Sequence, residues 1–306
     1  MPKVAPSLRN LLMPLTIVSS GTGWHVQDLL RAAARLRMPA QWLGFPSLGA
    51  VIASNREMMP ADPLLIRTMA SGSLEQIIFR MDVLNRFEVH GVPVLNPPRA
   101  LETCIDKYLC TARLAAAGLP VPDTIVCQDN ATALEAFARL GSDVVLKPLF
   151  GSEGRGMVRV TDRETCWRVC HALEQTGAVL YLQRFIPHEG CDLRLFVLGD
   201  RVLAGMRRCQ TGDWRTNIAQ GATAEAYRPT PEEEQLALRA TAAVGACYAG
   251  VDLLPGRDGR LYLLEVNGVP GWRTLSQVSS TDIAAEILQY IHNSPFRIKE
   301  SSHATP

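Results

Sequence analysis

One hairpin near the end of the sequence limits the possible folds more than any other feature. Two apolar runs rich in strand-forming residues flank the dipeptide Asp258-Gly259, which is a preferred two-residue turn between antiparallel strands. A turn centred on that dipeptide sets Asp252 opposite Glu265, with their Cβ atoms about 4.5–5.5 Å apart. Asn267 follows two residues after Glu265 and shares its face of the strand. The sequence therefore predicts a hairpin that gathers two carboxylates and an amide on one face.

Two opposed carboxylates destabilise a sheet unless a counter-charge lies nearby. An oxygen-rich set of this kind suits Mg²⁺, a hard cation that takes few protein ligands and completes its shell with water and phosphates. Mn²⁺ is an alternative ion. The competing interpretation is a solvated hairpin face with incidental acids, and a β-bulge in the hairpin would break the register argument. The candidate metal ligands are Asp252, Glu265 and Asn267.

A glycine-rich loop earlier in the chain is a candidate anion-binding site. Lys147 ends a predicted strand, and the loop that follows leads into another strand rather than a helix. Such a loop brings backbone N–H groups close to phosphate oxygens. Its spacing matches neither a Walker loop nor the dinucleotide fingerprint, and a long flexible hairpin is the competing interpretation. The candidate residues are Lys147, Gly151, Ser152, Gly154 and Gly156.

Arginines are frequent in the stretch between this loop and the acidic hairpin. A Gly199-Asp200 turn predicts a second hairpin, with Asp192 and Arg194 on one strand and Arg207 near the end of the other. Several cations near an acidic metal site suit a polyanion such as a triphosphate. A solvated basic edge is the competing interpretation. The candidates are Asp192, Arg194, Arg207, Arg208, Arg215 and Asn217.

Strand and helix signals divide the chain into segments. Strands that alternate with helices over residues 1–98 predict a parallel, doubly wound α/β domain of the Rossmann-like type. Residues 99–182 and 183–293 predict two smaller α+β subdomains. The first of these subdomains contains the glycine-rich loop, and the second contains the acidic hairpin. The polar tail, 294–306, predicts disorder.

Composition excludes several classes of protein. The chain has 306 residues, 47% of them hydrophobic, and a formal net charge of +1, so it lacks the basic surplus of a nucleic-acid partner. No apolar run reaches the roughly 18 residues of a membrane span. Eight cysteines without a CxxC pair form no disulfide framework, which favours a reducing cytosol and a cytoplasmic location.

Gly21-Thr22-Gly23 lacks the third glycine of a nicotinamide-dependent reductase. The oligomeric state stays open, a homo-oligomer included.

Seven motifs, taken in order, carry a resemblance to a known family. They are Asp106-Lys107-Tyr108, Lys147-Pro148 with the glycine-rich loop, Gln183-Arg184-Phe185, Asp192-Leu193-Arg194, Arg215-Thr216-Asn217, Gly250-Val251-Asp252 and Leu264-Glu265-Val266-Asn267. Each motif alone is weak, but the fixed order makes the set specific. Over about residues 65–292 the chain resembles the RimK-like α-L-glutamate ligases of the ATP-grasp superfamily.

The resemblance implies an ATP-grasp fold, in which two α+β subdomains hold ATP between them. Lys107 and Lys147 correspond to residues that contact the phosphates, and Asp192 to one near the ribose. The backbone around Arg184 and Phe185 corresponds to the adenine site, although the family usually has Glu in place of Arg184. The segment near the phosphates corresponds to Arg215, Thr216 and Asn217. The Mg²⁺ ligands correspond to Asp252, Glu265 and Asn267.

The resemblance also implies an activity, which is ATP-dependent ligation of L-glutamate to a carboxylate acceptor through an acyl phosphate. Arg207 would stabilise the tetrahedral oxyanion, with Arg208 or Arg215 as alternatives. The stretch Arg67–Arg80 resembles a branch that adds glutamate to the tail of tetrahydromethanopterin-type C1 carriers. The expected partners are therefore ATP, glutamate and such a carrier. Alternatives are glutamylation of a protein C-terminus or another cofactor tail, phosphoryl transfer alone, and an ATP-binding regulatory module.

Overall fold

The structure of the chain is a computed structural model that describes residues 14–52, 62–69, 72–151 and 154–293. These residues form two compact units. The first comprises the described residues up to 99, together with 271–276 and 281–293. The second comprises the described residues of 100–270 and 277–280. The predicted tail, 294–306, and Ser152 lie outside the described residues.

The described strands are, in chain order, β1 (Leu15–Ser19), β2 (Ala40–Gly44), β3 (Leu64–Ile66), β4 (Val94–Leu95), β5 (Thr124–Cys127), β6 (Val144–Lys147), β7 (Val158–Val160), β8 (Leu180–Arg184), β9 (Cys191–Leu198), β10 (Arg201–Cys209), β11 (Thr223–Ala226), β12 (Tyr248–Pro255) and β13 (Leu261–Asn267). The described helices are α1 (Trp24–Leu36), α2 (Leu74–Val89), α3 (Pro98–Ile105), α4 (Lys107–Ala116), α5 (Asn130–Arg139), α6 (Arg163–Gln175), α7 (Pro231–Val244), α8 (Arg273–Ser279) and α9 (Ile283–Asn293). None of these helices combines the length and the apolar character that crossing a bilayer requires.

The first unit is built on a parallel sheet with the strand order β2-β1-β3-β4. Every residue of β1 and β3 is buried, as expected for central strands of a parallel sheet. The last helix, α9, packs against α1, where Arg31 forms an ion pair with Asp282 at 2.8 Å. The parallel α/β fold expected near the N-terminus is therefore present. The sequence did not reveal the short strand β2, which lies at the edge of the sheet.

The second unit contains two antiparallel sheets. The first has the order β5-β8-β6-β7 and shares a core with α5 and α6. The second has the order β11-β10-β9-β12-β13 and shares a core with α4 and α7. In both sheets one face is thus covered by helices, and the other face is available for a site. The α+β character predicted for this part of the chain is confirmed.

Three boundaries differ from the sequence predictions. The apolar pattern over 101–117 predicts a single helix, but the structure has two, α3 and α4, because Asp106 caps the second helix and accepts a hydrogen bond from the Leu109 N–H at 3.0 Å. The predicted boundary after residue 182 falls inside β8. The segment 281–293, with α9, belongs to the first unit rather than to the C-terminal subdomain.

The acidic hairpin has the predicted pairing of Asp252 with Glu265 but a different turn from the predicted one. Its turn contains three residues, Arg257–Gly259, and Gly259 has a φ of 76°, the left-handed conformation that such turns place at glycine. A β-bulge then adds Leu264 to β13 as an extra residue. The longer turn and the bulge cancel, so Asp252 stands opposite Glu265 as predicted.

Candidate active site

A pocket in the second unit is lined by residues of both sheets and of the loops beside them. We call it the central pocket. The predicted residues that line it are Lys107, Lys147, Gly151, Gly154, Arg184, Phe185, Asp192, Arg215, Thr216, Asn217, Asp252 and Glu265. Among the described residues, the predicted ones that do not line it are Gly156, Arg194, Arg207, Arg208 and Asn267. Most residues that the sequence singled out therefore meet in one place.

Lys147 has a neutral hydrogen-bond partner. It ends β6, and its Nζ donates to Oε1 of Gln183 on the neighbouring strand β8 at 2.6 Å. Burial lowers the pKa of Lys147 to about 8, against the opposing effect of the negative charge on Glu265. A phosphate oxygen near Nζ would supply the compensating charge that the amide does not.

Gln183 is a site residue to which the sequence analysis gave no role. It is buried, and its Nε2 donates to Thr124 Oγ1 at 3.0 Å and to the Tyr181 hydroxyl oxygen at 3.3 Å. These two contacts orient the amide so that its oxygen points to Lys147. The available signal was the parity of β8, because Tyr181 and Gln183 alternate with the apolar residues Leu180 and Leu182.

Lys107 connects α4 to the glycine-rich loop. Its Nζ donates to the Gly151 carbonyl at 2.8 Å, and burial lowers its pKa. Gly154 has a φ of 70°, and a Cβ atom there would collide with the Asn217 side chain. The backbone at Gly154 therefore approaches the loop after β10 closely, which glycine allows. Gly156 instead lies against Pro148, outside the lining of the pocket.

Asp252 has the counter-charges that the sequence argument requires. Arg194 binds it through two hydrogen bonds, Nε to Oδ1 and Nη2 to Oδ2, both of 2.7 Å. Arg208 Nη2 lies 3.1 Å from the same Oδ2. Burial alone would raise the pKa of Asp252, but the two guanidinium groups outweigh it and hold the pKa at about 2. Asp252 is therefore ionised at neutral pH.

Asp192 belongs to the same buried charge network. Arg208 donates to both carboxylate oxygens of Asp192, at 2.7 and 2.5 Å. The side chain of Arg208 is almost fully buried. Thr216 forms a further hydrogen bond to the Asp192 carboxylate. Asp192 thus holds the loop after β10 against β9, a structural role in addition to the ribose contact that the family resemblance implies.

The predicted Mg²⁺ ligands fit such an ion by their chemistry. The described residues contain no group of three or more His, Cys, Asp or Glu side chains arranged to hold a metal. The predicted set is different, because it has two carboxylates and one amide oxygen. Asn267 Oδ1 accepts a hydrogen bond from the Val269 N–H at 2.9 Å and keeps a second lone pair. Glu265 faces Asp252 across the ladder, and three oxygen donors are enough for Mg²⁺.

Two aromatic side chains, Phe185 and Trp214, also line the pocket. The Phe185 ring lies under the guanidinium of Arg159 at 3.5 Å and meets the Trp214 ring edge-on at 6.1 Å. Arg184 directs its side chain to the exposed carboxylate of Asp123 at 3.3 Å. Flat apolar surfaces of this kind suit a base. The replacement of the family's usual Glu by Arg184 is matched locally by an acidic neighbour.

The structure separates the candidate oxyanion-stabilising arginines. Arg215 lines the pocket, and Asp213 holds its guanidinium at 2.7 Å. Arg207 does not reach the pocket, because its exposed side chain lies 3.6 Å from Glu225 on the outer strand β11. A β-bulge between Val202 and Ala204 causes this difference. It shifts the ladder by one residue and sets Arg208, not Arg207, opposite Asp192.

The sequence pattern of the RimK-like ATP-grasp domain matches residues 104–291, the part of the chain that forms the pocket. The chain belongs to the RimK-like ATP-grasp family. Membership confirms the predicted fold and the prediction of a ligase, and ATP with Mg²⁺ is used throughout ATP-grasp enzymes in general.

Two curated RimK-like relatives and one solved structure illustrate the similarity. A tetrahydromethanopterin:α-L-glutamate ligase of Methanosarcina acetivorans is 32% identical over 260 residues, which cover 76% of this chain and 80% of that protein. A probable α-L-glutamate ligase of Haemophilus influenzae is 37% identical over 216 residues, 70% of this chain and 71% of that protein. The ATP-grasp ligase PsnB, solved with its minimal precursor, Mg and ADP, superposes with a TM-score of 0.71 at 24% identity, over 94% of this chain and 99% of PsnB.

Proposed function

We propose that the chain joins the amino group of L-glutamate to a carboxylate of an acceptor, using ATP and an acyl phosphate intermediate. The supporting observation is the central pocket, where Lys107 and Lys147 share one cavity with Asp252 and Glu265. Lysines match phosphate oxygens, and carboxylates match a divalent cation. A nucleoside triphosphate with its cation satisfies both charge patterns at once.

In the first step, the chain holds the ATP phosphates while an acceptor carboxylate oxygen attacks the γ-phosphorus. The bond from that phosphorus to the β–γ bridging oxygen breaks, and ADP leaves. Lys107, Lys147 and the loop glycines bind and orient the phosphates. Because the acceptor carboxylate is the nucleophile, no protein side chain forms a covalent bond. Asp252, Glu265 and Asn267 would hold Mg²⁺, which screens the phosphate charges when bound.

In the second step, the amine of glutamate attacks the acyl carbon, and inorganic phosphate departs as the amide forms. The amine must be unprotonated, and its excess proton leaves after attack. Of Arg207, Arg208 and Arg215, only Arg215 lines the pocket, and in this proposal it stabilises the negative oxygen of the tetrahedral intermediate. The ion pair with Asp213 orients the guanidinium of Arg215.

The acceptor in this proposal is the tail of a tetrahydromethanopterin-type C1 carrier. The relative from Methanosarcina acetivorans supports it, since the similarity covers most of both chains. The test is ADP release with Mg-ATP, L-glutamate and a panel of carboxylates that includes this carrier and a peptide C-terminus. We expect glutamyl addition to the carrier, measured by mass. Addition to the peptide alone would refute the acceptor but not the ligase.

Trapping tests the order of the chemistry. With Mg-ATP, the carrier and hydroxylamine in place of glutamate, we expect a hydroxamate of the carrier. Lys147→Ala should suppress trapping, whereas Arg168→Ala on the exposed surface of α6 should not. ADP formation with no hydroxamate would favour phosphoryl transfer alone. An absence of ADP under all conditions would favour a binding module.

A further inference from the structure

A disulfide joins the strands that carry one side of the central pocket. Cys191 begins β9 and Cys209 ends β10, and they lie directly opposite each other with Cα atoms 4.2 Å apart. The next pair in the ladder is Asp192 and Arg208, the buried ion pair of the pocket. We infer that this cysteine pair is a redox modification site whose oxidation raises the affinity of the pocket for nucleotide. The inference rests on the proposed function.

The sulfur atoms lie on the face of the sheet away from the pocket. Leu193 and Leu195 share the face of Cys191 and are buried in the core that contains α7. Asp192 points to the opposite face and lines the pocket. The disulfide therefore acts through the backbone of the two strands and does not contact a ligand directly.

The loop that leaves β10 carries the effect to the pocket. It starts directly after Cys209 and holds the lining residues Arg215, Thr216 and Asn217. At its base the Gln210 N–H donates to the Gly190 carbonyl at 2.9 Å, which continues the ladder past the disulfide. Thr216 then bonds to Asp192. The disulfide holds the start of β9 and the end of β10 together. It therefore limits the movement of Asp192 on β9 and of Thr216 in the loop after β10.

Reduction removes the constraint at the base of the loop. Two unbonded heavy atoms keep a separation of about 3.5–4 Å, so the thiols push the side chains of Cys191 and Cys209 apart. The strand ends, and the Gln210 contact beside them, must adapt. A loop with a looser base loses more conformational entropy when it closes on a ligand, and the affinity falls.

The surroundings of this pair allow a small reagent to react. Cys191 and Cys209 are both partly exposed, whereas Cys104, Cys110, Cys166 and Cys170 are buried thiols. One thiolate of the pair attacks a low-molecular-weight disulfide and expels one small thiol. The second thiolate attacks the resulting mixed disulfide at the protein sulfur and expels the other. Two electrons pass from the protein to the reagent, and one small disulfide becomes two thiols.

The test compares the affinity of the full chain for Mg-ADP after oxidation with glutathione disulfide and after reduction with dithiothreitol. We expect binding of the reduced form to be weaker by about five-fold or more, the lower end of typical coupling between sites. Equal affinities would overturn this inference and leave the proposed function standing. No binding in either state would overturn both.

Serine variants identify the responsible thiols. In Cys191→Ser with Cys209→Ser, the affinity should match that of the reduced chain and no longer respond to oxidant. Cys127→Ser, which changes a partly exposed thiol on β5, should keep the response. A redox response that survives in the double variant would overturn the assignment to this pair.

Reciprocity gives a test that needs no variant. If oxidation tightens nucleotide binding, nucleotide must favour the disulfide by the same factor. The fraction of oxidised chain is measured by thiol titration in glutathione buffers of graded ratio, with and without saturating Mg-ADP. The midpoint should shift toward more reducing buffers with nucleotide. An unchanged midpoint would contradict the inference.

Discussion

The two sheets of the second unit hold their pocket charges in different ways. In the sheet that contains β6 and β8, Lys147 is bound to a neutral amide, and its pKa is lowered to about 8. In the sheet that contains β9 and β12, Asp252 lies between Arg194 and Arg208, and its pKa is held at about 2. One sheet therefore keeps a charge that lacks a close counter-charge, and the other keeps charges that compensate one another.

The difference indicates how each sheet responds to a ligand. A half-buried cation without an ionic partner becomes more stable when an anion binds beside it, so Lys147 contributes to binding more than to folding. A buried carboxylate fixed by two guanidinium groups contributes to folding, because removing one partner leaves the others uncompensated. We therefore expect the paired charges around Asp252 to affect mainly the free energy of unfolding, and Lys147 to affect mainly ligand affinity. Both quantities can be measured.

The largest expected effect is on the stability of the sheet with paired charges. Asp252→Asn keeps the size of the side chain but leaves Arg194 and Arg208 without their shared carboxylate. We expect it to lower the free energy of unfolding by about 3–5 kcal/mol, measured by urea titration. Glu265→Gln is the control, and we expect it to preserve stability while turnover is lost. Equal stability of the two variants would show that the pairing of Asp252 with Arg194 and Arg208 does not stabilise this sheet.

The second effect is a pH dependence that belongs to Lys147. Its pKa is about 8 in the folded chain and about 10.4 in the unfolded chain, so between these values only the unfolded chain binds the proton. Stability from this group therefore rises with pH across that window. We expect the wild type to gain about 3 kcal/mol relative to Lys147→Met between about pH 7 and pH 10.5. A constant difference between the two unfolding curves would show that the lysine is not perturbed.

The third comparison concerns the two faces of β10, where Arg207→Ala should have the smallest effect of these variants. Arg207→Ala changes an exposed side chain, so stability should change by less than about 0.5 kcal/mol and kcat/KM by less than about three-fold. Arg208→Ala, one residue further, removes the partner of Asp192 and Asp252 and should abolish turnover. Turnover assays of the two variants show which of these arginines the reaction requires. Loss of activity in Arg207→Ala would show that β10 presents its other face to the reaction.

Two β-bulges explain where sequence reasoning succeeded and failed. The bulge at Leu264 compensated for a turn that was one residue longer than predicted, and the Asp252–Glu265 pair formed as expected. The bulge between Val202 and Ala204 had nothing to compensate, because Arg201 pairs with Leu198 as the Gly199-Asp200 turn requires. It moved Arg207 away from the pocket. A bulge depends on packing of both faces, and the residues of one strand do not encode it visibly.

The sequence by itself determined the chemistry and the order of the parts. Residue type and local spacing identify the glycines of the loop, the lysine at the end of β6 and the acids of the hairpin β12–β13, and these features are present in the sequence before it folds. The tertiary structure decided which charges pair. Arg194 and Arg208 reach Asp252 from different strands, Gln183 meets Lys147 across a ladder, and Cys191 meets Cys209. These pairings depend on strand register, which long-range packing sets and short-range sequence signals do not.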